Sequence, residues 1–120
     1  MLIVEDDPLI TSMLVRSLKK VAPDPHCERE AAAAIRMLET GSFDVVWSDL
    51  DLGPGASGID LLERARAMQP AALLMIVSGN LDLLPRRGPP DGTRVFAKTQ
   101  VEEALSCVRA HAEKLGFVVR

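Results

Sequence analysis

Residues 43–52 read Phe-Asp-Val-Val-Trp-Ser-Asp-Leu-Asp-Leu (FDVVWSDLDL), and their first six positions decide the fold. The run FDVVWS is too short for a helix and too apolar for a strand with one wet face. It predicts a strand over 43–48 buried on both sides. Residues 73–77 (LLMIV) have the same character, while 2–4 (LIV), 26–29 and 95–97 (VFA) supply shorter extended stretches, the second a weak edge strand. Helical periodicity fills the gaps. Ile10, Leu14, Leu18 and Val21 mark one buried face over 8–21, opened by Asp7 as N-cap and Pro8 at the first helical position. Pro23 and Pro25 end it. Alanine-rich 31–39 predicts a second helix with a C-cap signal at Gly41, and a Gly/Pro loop over 53–58 leads into a third over 59–68, stopped by Pro70. Val101, Ala104, Leu105, Val108, Ala112 and Leu115 form the apolar stripe of a closing helix.

Strands alternating with helices imply an α/β fold: a three-layer, doubly wound, five-stranded parallel sheet. One connection breaks the rhythm. Residues 79–94 contain Pro85, Pro89, Pro90, Gly88 and Gly92, so the fourth helix is shortened or missing, with one or two turns at most near 81–84. At 120 residues the chain is one domain's worth, expected to span 1–120 with no output domain. Its 14 basic and 17 acidic side chains give −3, too little positive field for direct nucleic-acid binding. No apolar run approaches the ~20 residues of a membrane span, and no signal sequence precedes the first strand, so a cytoplasmic location is expected. Cys27 and Cys107 match no metal or redox spacing and read as free thiols. Aromatics are only 3%, so aliphatic side chains must build the core.

In an open parallel sheet, ligands bind beyond the carboxyl ends of the strands. Four apolar runs hand over there to reactive side chains: the first to Glu5, Asp6 and Asp7, the others to Asp49, Ser78 and Lys98. Clustered carboxylates repel one another unless a hard cation such as Mg²⁺ sits among them. A carboxylate beside that cation can act as a nucleophile toward phosphorus, with an ammonium and a hydroxyl on the phosphoryl oxygens.

These residues also carry a resemblance. Residues 2–8 (LIVEDDP), 44–52 (DVVWSDLDL), 58–62 (GIDLL), 77–79 (VSG) and 96–98 (FAK) resemble the receiver domain of two-component response regulators, in order and with its spacings. The resemblance implies the flavodoxin-like strand order 2-1-3-4-5 of the chemotaxis regulators. It also implies a phosphoacceptor at Asp49, and Mg²⁺ held by Glu5, Asp6, Asp49 and the backbone carbonyl of Asp51. Ser78 and Lys98 would assist the transfer, and Asn80 would tune the lifetime of the phosphate. The phosphodonor would be a histidine kinase or histidine phosphotransfer protein, with an unidentified downstream protein as receiver of the signal. Such a module is not an enzyme beyond its own phosphoryl transfer and dephosphorylation.

The chain departs from the family pattern in four places. The loop after Asp49 is one residue longer than common, with Gly53-Pro54 where one proline is usual. Thr99 follows Lys98 in place of proline, which makes the family's cis bond costlier or removes it. Val95 stands at the switch position where Tyr or Phe is typical, and strand alternation turns Phe96 to the opposite face. The fourth helix is nearly erased. Plainer readings also apply: Asp7 as a helix cap, His26 and His111 as surface residues, and Arg86-Arg87 as solvated loop charge. Two other functions compete with phosphoacceptance: a receiver-like interaction module signalling without phosphorylation, and a haloacid-dehalogenase-like phosphohydrolase using Asp49 and Asp51 as its DxD. Against the hydrolase, its DxD would end the first strand, and the chain has no insertion long enough for a substrate cap. A flavodoxin-like cofactor site is rejected because Glu5, Asp6 and Asp7 would repel a phosphate.

Overall fold

Continuously apolar runs make a sheet with two buried faces, and the computed structural model, which describes residues 1–84 and 88–120, has that sheet at its centre. Five parallel strands, β1 (Leu2–Val4), β2 (His26–Glu28), β3 (Val45–Ser48), β4 (Leu73–Ser78) and β5 (Arg94–Ala97), lie in the order β2-β1-β3-β4-β5. The α-helices are α1 (Pro8–Ser17), α2 (Ala31–Thr40), α3 (Gly58–Met68) and α4 (Val101–Lys114).

Strand alternation sorts the core in two. Ile3, Val45, Trp47, Met75, Val77 and Phe96 pack with Leu14 and Leu18 from the α1 segment and with Leu105, Val108 and Ala112 of α4. Leu2, Val4, Val46, Leu74 and Ile76 face the other way, onto Ala34 and Leu38 of α2 and Ile59, Leu62 and Ala65 of α3. Both faces of each central strand are therefore dry, which is why those runs read as continuously apolar.

The crossover from β4 to β5 departs from the helical pattern, as its prolines require. Among the described residues it holds a single 3₁₀ turn, Leu81–Leu83. Leu81 and Leu84 pack against the α2–α3 side of the core, but the crossover leaves Val95 of β5 37% exposed, while Phe96 on the opposite face is 8% exposed. The Arg86-Arg87 pair lies outside the described residues.

Several expected boundaries shift for physical reasons. Helix α1 ends at Ser17, not near 21: Leu18 is its C-cap, and hydrogen bonds from the Val21 and Ala22 N–H groups to the Leu18 carbonyl wind the chain into turns that keep Leu18 buried. Strand β3 begins at Val45, not 43, because the Phe43 N–H donates to Gln69 Oε1 and the Asp44 N–H to the Arg120 carbonyl. Gly41 does cap α2, but at φ −126°, so its left-handed freedom is unused; a Cβ there would lie 3.3 Å from the Phe43 ring. Helix α3 starts one residue earlier than expected, behind a capping box. The Asp60 N–H donates to Ser57 Oγ at 3.3 Å and the Ser57 N–H to Asp60 Oδ2 at 2.8 Å. Replacing Ser57 with alanine should cost ~1 kcal/mol in urea denaturation; an unchanged midpoint would mean the cap is not limiting. His26 and His111 are half-buried at the surface, and His26 Nε2 lies 3.1 Å from Glu28 Oε1. No peptide bond is cis among the described residues, so Lys98–Thr99 is trans.

Candidate functional site

Parallel strands bring residues distant in sequence to one edge of the sheet, and the β1, β3 and β5 ends converge here. The backbone ladder continues past β1 and β3: the Asp49 N–H donates to the Val4 carbonyl and the Glu5 N–H to the Glu28 carbonyl, both at 3.0 Å. Those two bonds fix where the Glu5 and Asp49 side chains leave the sheet. Carboxylate oxygens of Glu5, Asp6 and Asp49 lie within 4.8 Å of one another, with Glu5 and Asp49 buried and Asp6 exposed. Lys98, just beyond β5, sends its Nζ to Asp49 Oδ2 at 3.0 Å and toward Glu5 Oε1 at 3.5 Å.

Asp49 is held from both sides. Oδ2 meets the lysine, and Oδ1 accepts the Leu50 N–H at 2.7 Å and more weakly the Asp51 N–H at 3.4 Å. Its carbonyl accepts the buried Ser48 hydroxyl at 2.7 Å. Gly58 closes against the same carbonyl: a Cβ built there would sit 2.1 Å from Asp49 O, so only glycine lets α3 start this close.

Glu5 is the electrostatically unusual member. Burial pushes its carboxyl from an ordinary 4.5 up to about 7; the Asp7 N–H, donating to Oε1 at 3.1 Å, pulls the other way, Asp49's charge raises it and Lys98's lowers it. Oε2 is buried with no hydrogen-bond partner among the described residues. Burial disfavours the charged form of Lys98, but the hydrogen bond and charge of Asp49, with Glu5 adding to them, outweigh it and hold the ammonium above its usual value. An orphaned buried carboxylate oxygen beside two further carboxylates is the donor set a hard divalent cation takes.

The other expected residues fall differently. Ser78 is buried at the end of β4, where its Oγ accepts the Asn80 N–H at 3.2 Å; it makes no hydrogen bond to Asp49. Asn80 is exposed at the rim. Asp51 turns its carboxylate into its own loop, accepting the Gly53 N–H at 3.1 Å, so that group is not in the acidic cluster. Asp7 caps α1 through the Leu9 N–H at 2.9 Å, as expected. Sequence reasoning missed Ser48, Trp47 and the tight contact of Gly58. Trp47, the chain's single tryptophan, lines a small cavity of about 100 Å³ with Glu5 and Lys98.

An acidic cluster and a lysine at the carboxyl edge of a 2-1-3-4-5 parallel sheet define the class of the two-component signalling receivers. The family model of the response regulator receiver domain matches residues 1–85, and the chain belongs to that family. Receiver domains are signalling modules, not classical enzymes. Solved structures are similar over nearly the whole chain. One is the signal receiver domain of an HD domain-containing protein from Pseudomonas fluorescens Pf-5, at 25% identity over 94% of this chain and 95% of that one, TM-score 0.73. A second is the receiver domain of the sensor histidine kinase PA1611 from Pseudomonas aeruginosa PAO1, whose active-site cleft coordinates magnesium (20% identity, 88% of this chain and 93% of that one, TM-score 0.66). A third, a response regulator protein from Burkholderia pseudomallei with a phosphorylated aspartic acid, is 20% identical over 95% of this chain and 68% of that one, TM-score 0.70. No curated protein sequence matches. Among the described residues, no helix is long and apolar enough to cross a membrane.

Proposed function

We propose that this receiver is a cytoplasmic phosphoacceptor: Asp49 takes a phosphoryl group from a histidine kinase or histidine phosphotransfer protein and so changes the chain's affinity for a downstream protein. The observation that carries the reading is the 3.0 Å approach of Lys98 Nζ to an Asp49 carboxylate that also lies within 4.8 Å of Glu5 and Asp6. An Asp49 oxygen forms the new bond to phosphorus as the bond to the donor imidazole breaks, and the imidazole leaves. Glu5, Asp6, Asp49 and the Asp51 carbonyl would hold Mg²⁺, which when bound offsets the carboxylate charge and draws charge from the phosphoryl oxygens. The magnesium and the phosphorylated aspartate in two of the similar structures support this assignment.

Lys98 pairs with the Asp49 carboxylate before transfer and meets a phosphoryl oxygen afterwards. Among the described residues Ser78 accepts one hydrogen bond, from the Asn80 backbone, and keeps its own hydroxyl proton to donate to the phosphoryl group. Asn80, at the rim, sets the access of hydrolytic water. The phosphoryl group adds roughly −1.5 to −2 charge at Asp49, and the movement of Ser78 and Lys98 toward it is the local event to be read out.

The exposed aliphatic Val95 at the switch position and the single 3₁₀ turn between β4 and β5 favour a second reading, an interaction module that works without phosphorylation. One experiment separates the two. The protein is incubated with acetyl phosphate and Mg²⁺ and weighed intact, while Trp47 fluorescence is followed as Mg²⁺ is added. The expected result is a phosphate adduct on the wild type and none on Asp49→Asn, with the fluorescence change preserved or reduced in the variant. Absence of both adduct and fluorescence response supports the unphosphorylated module. Continuous phosphate release from simple phosphomonoesters would point to a hydrolase instead.

A further inference from the structure

Away from the phosphoacceptor edge, the end of α1 and the middle of α4 enclose a groove of about 450 Å³ lined by Arg16, Ser17, Lys19, Lys20, Val21 and Arg109. Four of these six residues are cationic, and no acid lines the groove. Among the described residues none of the four forms an ion pair. Set apart, they leave ten basic against seventeen acidic side chains in the rest of the chain, so the positive charge is local.

The helix dipole explains part of this. Arg16, Lys19 and Lys20 sit at or just past the last turn of α1, where the free carbonyls carry about half a negative charge. Half a charge does not balance three cations, and Arg109 comes from a helix entirely separate in sequence. Arg109 Nη2 donates to the Ser17 carbonyl at 3.1 Å, which holds its guanidinium at the groove instead of letting it sweep through solvent. The arrangement is a pre-positioned cluster of like charges without a counter-charge.

We propose that this groove is a docking surface for an acidic segment of a partner protein. A nucleic acid is a poorer fit, because its regularly spaced phosphates need an extended basic track and the chain beyond the groove is net negative. A second copy docked about a twofold axis would set like charges against like. A short peptide with Glu or Asp beside an aliphatic side chain matches both the four cations and the apolar floor of lysine stems and Val21. None of the groove residues belongs to the Asp49 pocket, and Arg16 lies about 14 Å along α1 from Asp7, so this inference stands apart from the phosphoacceptor reading.

The test uses a fluorescein-labelled peptide of repeated Glu-Glu-Leu, with a Lys-Lys-Leu peptide and a labelled oligothymidylate as comparisons, read by anisotropy at low salt. Wild type should bind the acidic peptide, and added salt should weaken the binding. Lys19→Glu with Lys20→Glu, both on exposed side chains, should weaken it by about tenfold or more, with Arg109→Gln as a second variant that alters the groove without reversing charge. Circular dichroism and an unchanged melting midpoint establish that the variants fold. Equal affinity of wild type and charge-reversed protein, or no binding of the acidic peptide, overturns the proposal. Tighter binding of the oligothymidylate overturns it in favour of a nucleic acid, and a dimer in sedimentation that charge reversal abolishes overturns it in favour of self-association.

Discussion

In EDTA, Glu5→Gln should be more stable than the wild type by roughly 3 kcal/mol above pH 7, and the advantage should vanish below about pH 4.5. The sign follows from the raised carboxyl. Glu5 ionises near 4.5 when unfolded and near 7 when folded, so between those values the folded chain keeps a proton the unfolded chain has lost. Stability therefore falls as pH rises across that window and levels off above it. Glutamine has the same shape and no proton to lose, so this contribution to the slope disappears. Urea denaturation of both proteins at a series of pH values measures the difference, and parallel curves would refute the assignment. Saturating Mg²⁺ should narrow the gap by stabilising only the chain that keeps its full ligand set. Lys98 acts at the alkaline end: its ammonium is held above the ordinary 10.5, so its contribution is present below that value and lost as pH rises through the folded one.

A destabilising carboxylate retained in the core is a sign of use. Most buried acids are paired, but Glu5 leaves Oε2 without a partner and has its ammonium 3.5 Å from Oε1, too long for a strong bond. Glutamine would serve the fold better. What glutamine cannot do is present a second negative oxygen beside Asp49 to a cation. The energetic defect and the proposed metal site are thus one feature.

The sheet was legible because apolar runs and strand-end residues obey local rules. LIV, VVWS and LLMIV alternate sides strictly, and each ends where a polar side chain begins, so the convergence of Glu5, Asp49 and Lys98 followed from topology alone. The shortening of the fourth helix was equally plain, since proline removes both a donor and helical space. Other features resisted because they are set by distant partners. The late start of β3 depends on Gln69, whose amide also donates to the Leu38 and Gly41 carbonyls, and nothing near Phe43 announces that. The early end of α1 depends on how Leu18 packs. The capping box was readable, as a Ser three residues before an Asp ahead of an apolar run, and was missed because the surrounding glycines suggested only a loop. Phe96 and Val95 went the other way: alternation alone assigned their faces, with Phe96 buried and Val95 exposed.

A large effect at the site should come from the smallest side-chain change. Gly58→Ala would place a methyl carbon 2.1 Å from the Asp49 carbonyl oxygen and 3.1 Å from Leu50 Cα, both backbone and neither able to rotate away. Relief requires α3 and the strand end to part by about 1 Å, and the Gly58 N–H bond to the Leu50 carbonyl, now 3.1 Å, would stretch with them. Overpacking of this kind costs about 1–3 kcal/mol. The functional cost is separable and larger. Leu50 also supplies the N–H that fixes Asp49 Oδ1, so the nucleophile is displaced with the helix, and a misplacement of about 1 Å can slow a positioned reaction by about 100-fold. Adduct formation with acetyl phosphate, timed well below the melting transition, should therefore fall far more than the stability loss explains. Ser57→Ala is the control, since it weakens the same helix terminus without touching Asp49. Similar phosphorylation rates in Gly58→Ala and Ser57→Ala would mean that the glycine serves only packing, whereas a slow Gly58→Ala beside a normal Ser57→Ala makes the contact part of the site.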